Sequence, residues 1–206
     1  MEHLTEEALR FAAERHRGQR RKVSGVPYIL HPVEVMAIAG SITDDEEILA
    51  AAVLHDVVED TATTSDEVRE RFGDRVADLV ASETENKYTD RPATETWVQR
   101  KLESLMELQA SDDPAVKILW LSDKLSNIRS MYASWRTGGD VIWRAFHQKN
   151  PAMHAWYYRS IAALLRPYVG ATLAMEEYDR LVGEVFAAIP DRAPEGLPSF
   201  GQQASV

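Results

Sequence analysis

A histidine followed at once by an aspartate, with an acidic pair one helical turn later, closes an apolar run: Ala50-Ala51-Ala52-Val53-Leu54-His55-Asp56-Val57-Val58-Glu59-Asp60. At 3.6 residues per turn this spacing predicts His55 and Glu59 on one helical face, with Asp56 and Asp60 beside them. An imidazole and carboxylates held against a core need a partner, and a metal ion is the usual one. Two further residues suit the same chemistry. His31 precedes Pro32, and Asp123 sits in Leu119-Trp120-Leu121-Ser122-Asp123-Lys124-Leu125, an apolar setting that disfavours a lone carboxylate. His31, His55, Asp56 and Asp123 together form a mixed nitrogen and oxygen set suited to manganese, iron, cobalt or zinc. Each also has a plainer reading: His31 as a helix N-terminal residue, His55-Asp56 as a surface turn, Asp123 as an ion-pair partner of Lys124 or of a basic residue on another helix.

Helices must position these residues. Thr5 with Glu6 and Glu7 predicts a first helix to about His16, followed by the basic loop Gly18-Gln19-Arg20-Arg21-Lys22-Val23-Ser24-Gly25. His31-Pro32 opens a second helix, since proline is suited to the first turn. Asp44 or Asp45 caps a third, which carries His55-Asp56 and runs to about Asp60. Short helices are predicted from Thr64 or Ser65 to Phe72-Gly73, and from Asp74 onward. Glu83 to Ala93 reads as a polar loop. A helix starts at Thr94, and a long one follows Asp113-Pro114, with Ile118, Leu121, Leu125, Ile128 and Tyr132 at helical spacing until Gly138-Gly139. Three more are expected around 141–146, 152–168 and 173–189. From 191 to 206 the chain is expected to form a disordered tail. No alternating strands or internal repeats stand out. The expected fold is all-α, a single helical bundle of about nine to ten helices over residues 1–190.

Composition narrows the function classes. The chain of 206 residues is 45% hydrophobic and 27% charged, ordinary for a globular protein able to bury a core. It has no cysteine, which excludes disulfides, thiolate metal ligands and thiol nucleophiles. No apolar run reaches membrane-spanning length, and the N-terminus lacks the basic and apolar regions of a secretory signal. A cytoplasmic setting is therefore expected. The formal net charge of −10 argues against nucleic-acid or membrane partners but leaves room for a small polyanion, because basic residues cluster locally. Nothing in the sequence assigns an oligomeric state.

The order His, His-Asp, then a distant Asp resembles the HD-domain metal-dependent phosphohydrolases. The resemblance narrows to the hydrolase domain of RelA/SpoT-type alarmone enzymes, especially the stand-alone small alarmone hydrolases. It is carried by His16-Arg17-Gly18-Gln19-Arg20-Arg21-Lys22, by Gly25-Val26-Pro27-Tyr28-Ile29-Leu30-His31-Pro32, by Ala52 to Thr61, by Phe72-Gly73, and by Leu121-Ser122-Asp123-Lys124-Leu125-Ser126-Asn127-Ile128-Arg129. It implies that His31, His55, Asp56 and Asp123 hold one divalent ion, usually manganese. It also implies that Glu59 and Asp60 handle the attacking water, work suited to carboxylates.

The substrate implied is guanosine tetra- or pentaphosphate, (p)ppGpp, cleaved at the ribose 3′ side to GDP or GTP and pyrophosphate. Arg21, Lys22 and Ser24 match the loop that contacts the nucleotide, and Asn127 matches a residue that contacts its sugar. Arg100 and Lys101 correspond to basic residues that reach the distal diphosphate, and Tyr157 to a nucleotide-contacting tyrosine. A solvated basic loop, a solvated helix face and aromatic core packing are the plainer readings of these positions. The basic loop is one residue longer than in the long bifunctional enzymes. Where those enzymes carry Gly-Val-Thr, this chain has Ala81-Ser82-Glu83-Thr84-Glu85-Asn86-Lys87, a departure that bears on purine and phosphate selectivity and leaves the metal ligands untouched. The length leaves no room for a synthetase domain, so hydrolysis without synthesis is expected. The alternatives are a related enzyme acting on ppApp, a nucleoside phosphate or a phosphorylated dinucleotide, and a non-catalytic nucleotide-binding regulator.

Overall fold

A computed structural model describes residues 3–21 and 24–201. Its elements are α1 (Leu4–Arg15), α2 (Leu30–Gly40), α3 (Glu46–Leu54), α4 (Val57–Asp60), α5 (Ser65–Phe72), α6 (Asp74–Glu83), α7 (Ala93–Ala110), α8 (Pro114–Gly138), a short 3-10 helix (Gly139–Ala145), α9 (Pro151–Val169) and α10 (Leu173–Val185). Among the described residues no strand forms; the extended pairing is a single antiparallel bridge between Arg20 and Pro27. The all-α expectation holds. Among the described residues no helix is long and apolar enough to cross a membrane.

The chain divides into two compact units, one of residues 1–85 and 113–126, the other of residues 86–112 and 127–206. In the first, α3 is the centre. Ala50, Ala51, Ala52, Val53 and Leu54 have no exposure at all. Three consecutive alanines let neighbouring backbones come close, and α1, α2 and α6 all pack on α3. Phe11 of α1 meets Phe72 of α5 edge to face, with ring centroids 5.3 Å apart. Asp45 caps α3 by accepting from the Glu47 N–H at 3.0 Å, and Thr64 caps α5 by accepting from the Glu67 N–H at 3.2 Å. Gly73 links α5 to α6 with φ at 91°, a conformation that suits glycine because it has no Cβ. Asp74 is thus the first helical residue, with Gly73 at the cap position.

One boundary departs from the sequence reading in a way that matters. The third helix does not run on to Asp60. It ends at Leu54, His55 and Asp56 form a turn, and α4 restarts at Val57. The His55 ring folds back so that Nδ1 lies 2.8 Å from the Ala52 carbonyl, competing with the helical ladder at that point. His55 and Asp56 therefore stand at a helix junction and not on a continuous face.

The second unit is built around α9, whose residues His154 to Tyr158 are all buried. The rings of Trp143, Phe146 and His154 form an aromatic cluster, and Trp143 also stacks on Phe186 at 5.9 Å. Residues 191–201, expected to lack order, run beside α9: Trp156 Nε1 donates to the Pro198 carbonyl at 2.9 Å.

The crowding around α3 gives a direct expectation. Ala51→Leu inserts three carbon atoms where there is no exposed surface, and should cost about 1–3 kcal/mol in a urea melt. A change below a few tenths would show that α3 is not tightly enclosed.

Candidate metal centre

The first unit brings four side chains from two helices and a junction to one point. His31 comes from the first turn of α2, His55 and Asp56 from the α3–α4 turn, and Asp123 from the middle of α8. His31 Nε2 lies 3.1 Å from Asp123 Oδ1 and 3.5 Å from Asp56 Oδ2. His55 Nε2 lies 3.0 Å from Asp56 Oδ2 and 3.5 Å from Asp123 Oδ1. The two rings meet edge to face, centroids 5.1 Å apart. His31, His55 and Asp123 are buried, and their donor atoms all lie within 4.8 Å of one another.

Hydrogen bonds assign the tautomers. The Ala52 carbonyl can only accept, so the nearby His55 Nδ1 carries the proton. Ser126 donates its hydroxyl to Glu34 Oε2 at 2.7 Å, so it accepts from His31 Nδ1 at 2.8 Å. In both neutral rings Nε2 is then a bare lone pair. Both lone pairs face carboxylate oxygens, which also only accept, and His55 Nε2 is buried without a hydrogen bond. Acceptors held face to face out of water need a cation between them. Ligands on one transition-metal ion at about 2.1 Å sit roughly 3.0–3.4 Å from each other, close to the spacings here. The outer nitrogens of both rings are already committed to partners, as in established metal-ligating histidines. The residues fit a divalent cation.

Without one, a proton serves. Burial works against charge on His55, but Asp56 and Asp123 outweigh it and hold its pKa well above the usual 6.5. Burial also opposes ionisation of Asp56, yet the adjacent His55 and then His31 keep its carboxyl far below the ordinary range. Asp123 behaves likewise, with Lys124 the strongest of the groups that lower it.

Three further groups belong to the site: Tyr28 and Glu83, which the sequence reading gave no role, and Lys124, which it named as an ion-pair partner of Asp123. Tyr28 donates its hydroxyl to Asp56 Oδ2 at 2.6 Å, with Asp60 Oδ2 at 3.1 Å, which ties the metal pair to the acidic pair. Lys124 Nζ lies 2.5 Å from Asp123 Oδ2 and 3.1 Å from Glu83 Oε2. Burial pushes the Glu83 carboxyl up to about 7 despite Lys124. Glu83 had been placed in a polar loop, whereas it is the buried last residue of α6. For the Ser126 and Glu34 pair a signal did exist: each lies three residues after a candidate ligand, on the same helical face.

Glu59 is half-buried and accepts from the Glu85 N–H at 3.4 Å, while Asp60 is exposed and its carbonyl accepts from Gln19 Nε2 at 2.8 Å. Arg21 is half-buried with its guanidinium 5.9 Å from the Tyr28 ring centroid, and Ser24 is exposed in the loop. Lys22 lies outside the described residues. Asn127, Arg100, Lys101 and Tyr157 belong to the second unit. There the Lys101 ammonium stands 4.8 Å over the Tyr157 ring, and Tyr157 is buried beside Trp97.

The sequence matches the HD domain family over residues 8–141. The chain belongs to the HD-domain family. Among relatives of this HD-domain chain, the mouse guanosine-3′,5′-bis(diphosphate) 3′-pyrophosphohydrolase MESH1 is 42% identical over 136 residues, which cover 64% of this chain and 72% of that protein. The Aquifex aeolicus protein named guanosine-3′,5′-bis(diphosphate) 3′-pyrophosphohydrolase is 41% identical over 125 residues, 61% of this chain but only 17% of that much longer protein. In structure, the chain resembles a metazoan ortholog of SpoT that hydrolyzes ppGpp, with a TM-score of 0.68 and 27% identity over 91% of this chain and 96% of that one. It also resembles lmo0812 from Listeria monocytogenes, with a TM-score of 0.67 and 32% identity over 80% and 99% of the two chains.

The raised pKa of His55 sets a pH dependence for the metal-free protein. The folded state keeps a proton that the unfolded state loses near 6.5, so the stabilisation is complete below that value and disappears as pH climbs through the folded one. Between about pH 7 and about pH 9 the thermal midpoint of metal-free protein should fall, and His55→Gln should flatten the decline. An equal slope in both proteins would show that His55 is not the group holding the proton.

Proposed function

We propose that this HD-domain chain is a divalent-cation-dependent 3′-pyrophosphohydrolase of guanosine 3′,5′-bis(diphosphate) and its pentaphosphate, releasing pyrophosphate and leaving GDP or GTP. The observation that carries the reading is the buried pair of Nε2 lone pairs facing Asp56 and Asp123, an arrangement completed by a cation. The names of the mouse and Aquifex relatives support the substrate. Manganese is the ion we assign, since two imidazoles and two carboxylates suit a metal of intermediate softness. The hydrolase would occupy residues 1–190, with 191–206 as its tail, in the cytoplasm where guanine nucleotides are held.

When bound at His31, His55, Asp56 and Asp123, the cation supplies a Lewis acid that polarises a phosphoryl oxygen and makes water more acidic. The chain does the rest. Glu59 and Asp60 orient the attacking water and take its proton; the new bond is water oxygen to the phosphorus on the ribose 3′ oxygen, and the bond that breaks is that phosphorus to O3′. The 3′ oxygen leaves with a proton and pyrophosphate departs. Tyr28 shares its single proton between Asp56 and Asp60, which fixes the distance between the cation-holding group and the water-handling group. Arg21, Lys22, Ser24 and Asn127 would hold the nucleoside, with Arg100, Lys101 and Tyr157 at its distal phosphates. Guanidinium planes suit a purine face, and ammonium groups suit phosphate as point charges. The acidic surface implied by a net charge of −10 would keep long nucleic acids away.

Manganese-dependent release of pyrophosphate from ppGpp tests this reading. Asp56→Ala should abolish turnover, and Glu59→Gln should lower kcat by about 10²–10⁴ while Mn²⁺ still binds. If Mn²⁺ binds tightly and ppGpp survives intact, the substrate assignment is wrong and the cation site stands.

A further inference from the structure

Asp123 does not use its two oxygens alike. Oδ1 is the atom that faces the imidazoles, 3.1 Å from His31 Nε2 and 3.5 Å from His55 Nε2. Oδ2 is the atom 2.5 Å from the Lys124 ammonium. Lys124 is next to Asp123 in the chain, and successive residues of a helix diverge by about 100°, so the pairing is not given by helical geometry alone. Something must turn the lysine back.

Three contacts do so. Glu83, the last residue of α6, holds Nζ through Oε2 at 3.1 Å. The Trp120 ring lies one turn earlier on α8, with Nζ 4.6 Å from its centroid. That ring is fixed in turn by its Nε1, which donates to the carbonyl of Ser82, the neighbour of Glu83. Glu83 is almost wholly enclosed, with a side-chain exposure of 2%, and its Oε1 makes no hydrogen bond. A buried carboxylate with one oxygen left unpaired is unfavourable, which argues that Lys124 is the reason for its presence.

We propose that Glu83 is a positioning residue for the cation site: it anchors Lys124, Lys124 occupies Oδ2 of Asp123, and Asp123 is thereby restricted to binding the cation through Oδ1 alone. This rests on the cation-site reading above and adds a determinant of its geometry. It also gives a role to a residue in the stretch Ala81 to Lys87, where the sequence departs from the alarmone hydrolases it otherwise resembles. The segment acts on the ligand set through Lys124.

The experiment is cation binding to the full chain, using Mn²⁺ for affinity and Co²⁺ for the visible absorption that reports coordination number. Glu83→Gln keeps an oxygen acceptor for Lys124 and should bind Mn²⁺ within about threefold of the parent protein, with the same Co²⁺ spectrum. Glu83→Leu fills similar space with no acceptor and no buried carboxyl, so it is expected to fold. It should weaken Mn²⁺ binding about 10- to 100-fold, as loss of an outer partner of a metal ligand does, and shift the Co²⁺ bands. Mn²⁺ affinity and Co²⁺ bands unchanged in Glu83→Leu would overturn the proposal, as would equal weakening in both variants, since the hydrogen bond would then not be the operative feature. The parent protein and Asp123→Ala separate the two readings. If the parent binds no Mn²⁺, the cation site itself falls and this proposal with it. If the parent binds, Asp123→Ala does not, and Glu83→Leu binds normally, only the role of Glu83 is lost.

Discussion

Two imidazole lone pairs and two carboxylates confront one another inside the first unit, and while both rings are neutral none of the four can donate a hydrogen bond to the others. In water such a cluster would disperse. Here it is held by groups outside it: the Ala52 carbonyl behind His55, Ser126 and Glu34 behind His31, Tyr28 on Asp56 and Lys124 on Asp123. The partners of the two histidines fix their tautomers and Lys124 takes the outer oxygen of Asp123, while Tyr28 donates to Asp56 Oδ2, the same oxygen that faces both imidazoles. The arrangement keeps electron pairs pointed at a common centre in a setting with little water, where a cation is held far more strongly than at a surface. The break between α3 and α4 follows from the same demand. His55 must face inward and its Nδ1 must find a carbonyl, and the helix that delivers it ends there.

Burial and exposure are divided between two kinds of carboxylate. Asp123 has 5% side-chain exposure and Asp56 17%, whereas Asp60 is open to solvent and Glu59 half so. Groups that hold a cation gain from a low dielectric. Groups proposed to take a proton from water and pass it on need contact with solvent. Tyr28 stands at the boundary: burial first, then the two aspartates beside it, push its phenol far above 10, so it remains a donor at any physiological pH. It is a fixed link between the two sets and does not carry charge itself.

Much of this was legible in residue order. The helical periodicity predicts the all-α fold, and the caps at Asp45, Thr64 and Asp113 stand where short acceptor side chains precede apolar runs. His31, His55, Asp56 and Asp123 were legible as candidates because buried histidines and aspartates have few plain uses, and the structure brings them together. What stayed hidden depends on contacts far apart in sequence. Periodicity sees an apolar run approaching His55, but not a ring bonded back to a carbonyl, so it extends the helix too far. Glu83 lies in a stretch whose polar composition reads as loop, and only the position of Lys124, 41 residues later, reveals it as buried. Tyr28 looks like any residue after a proline until Asp56 and Asp60 are placed beside it.

The Glu83–Lys124–Asp123 chain also bears on how a site of this kind tolerates change. A buried lysine beside a cation site adds a positive charge to a place meant to attract one, and a buried glutamate with one oxygen unpaired is costly in isolation. Together they nearly cancel in charge, and the remaining effect is directional: Oδ2 of Asp123 is turned to Lys124 and Oδ1 to the imidazoles. Removing both partners for apolar residues of similar size would restore neutrality and lose the direction. Removing Glu83 alone leaves Lys124 with Asp123 as its counter-charge, whereas removing Lys124 alone leaves two buried carboxyls without it, the more damaging event. The two positions should therefore be energetically coupled. Their joint effect on the cation should be smaller than the sum of single effects, even though one sits on α6 and the other on α8.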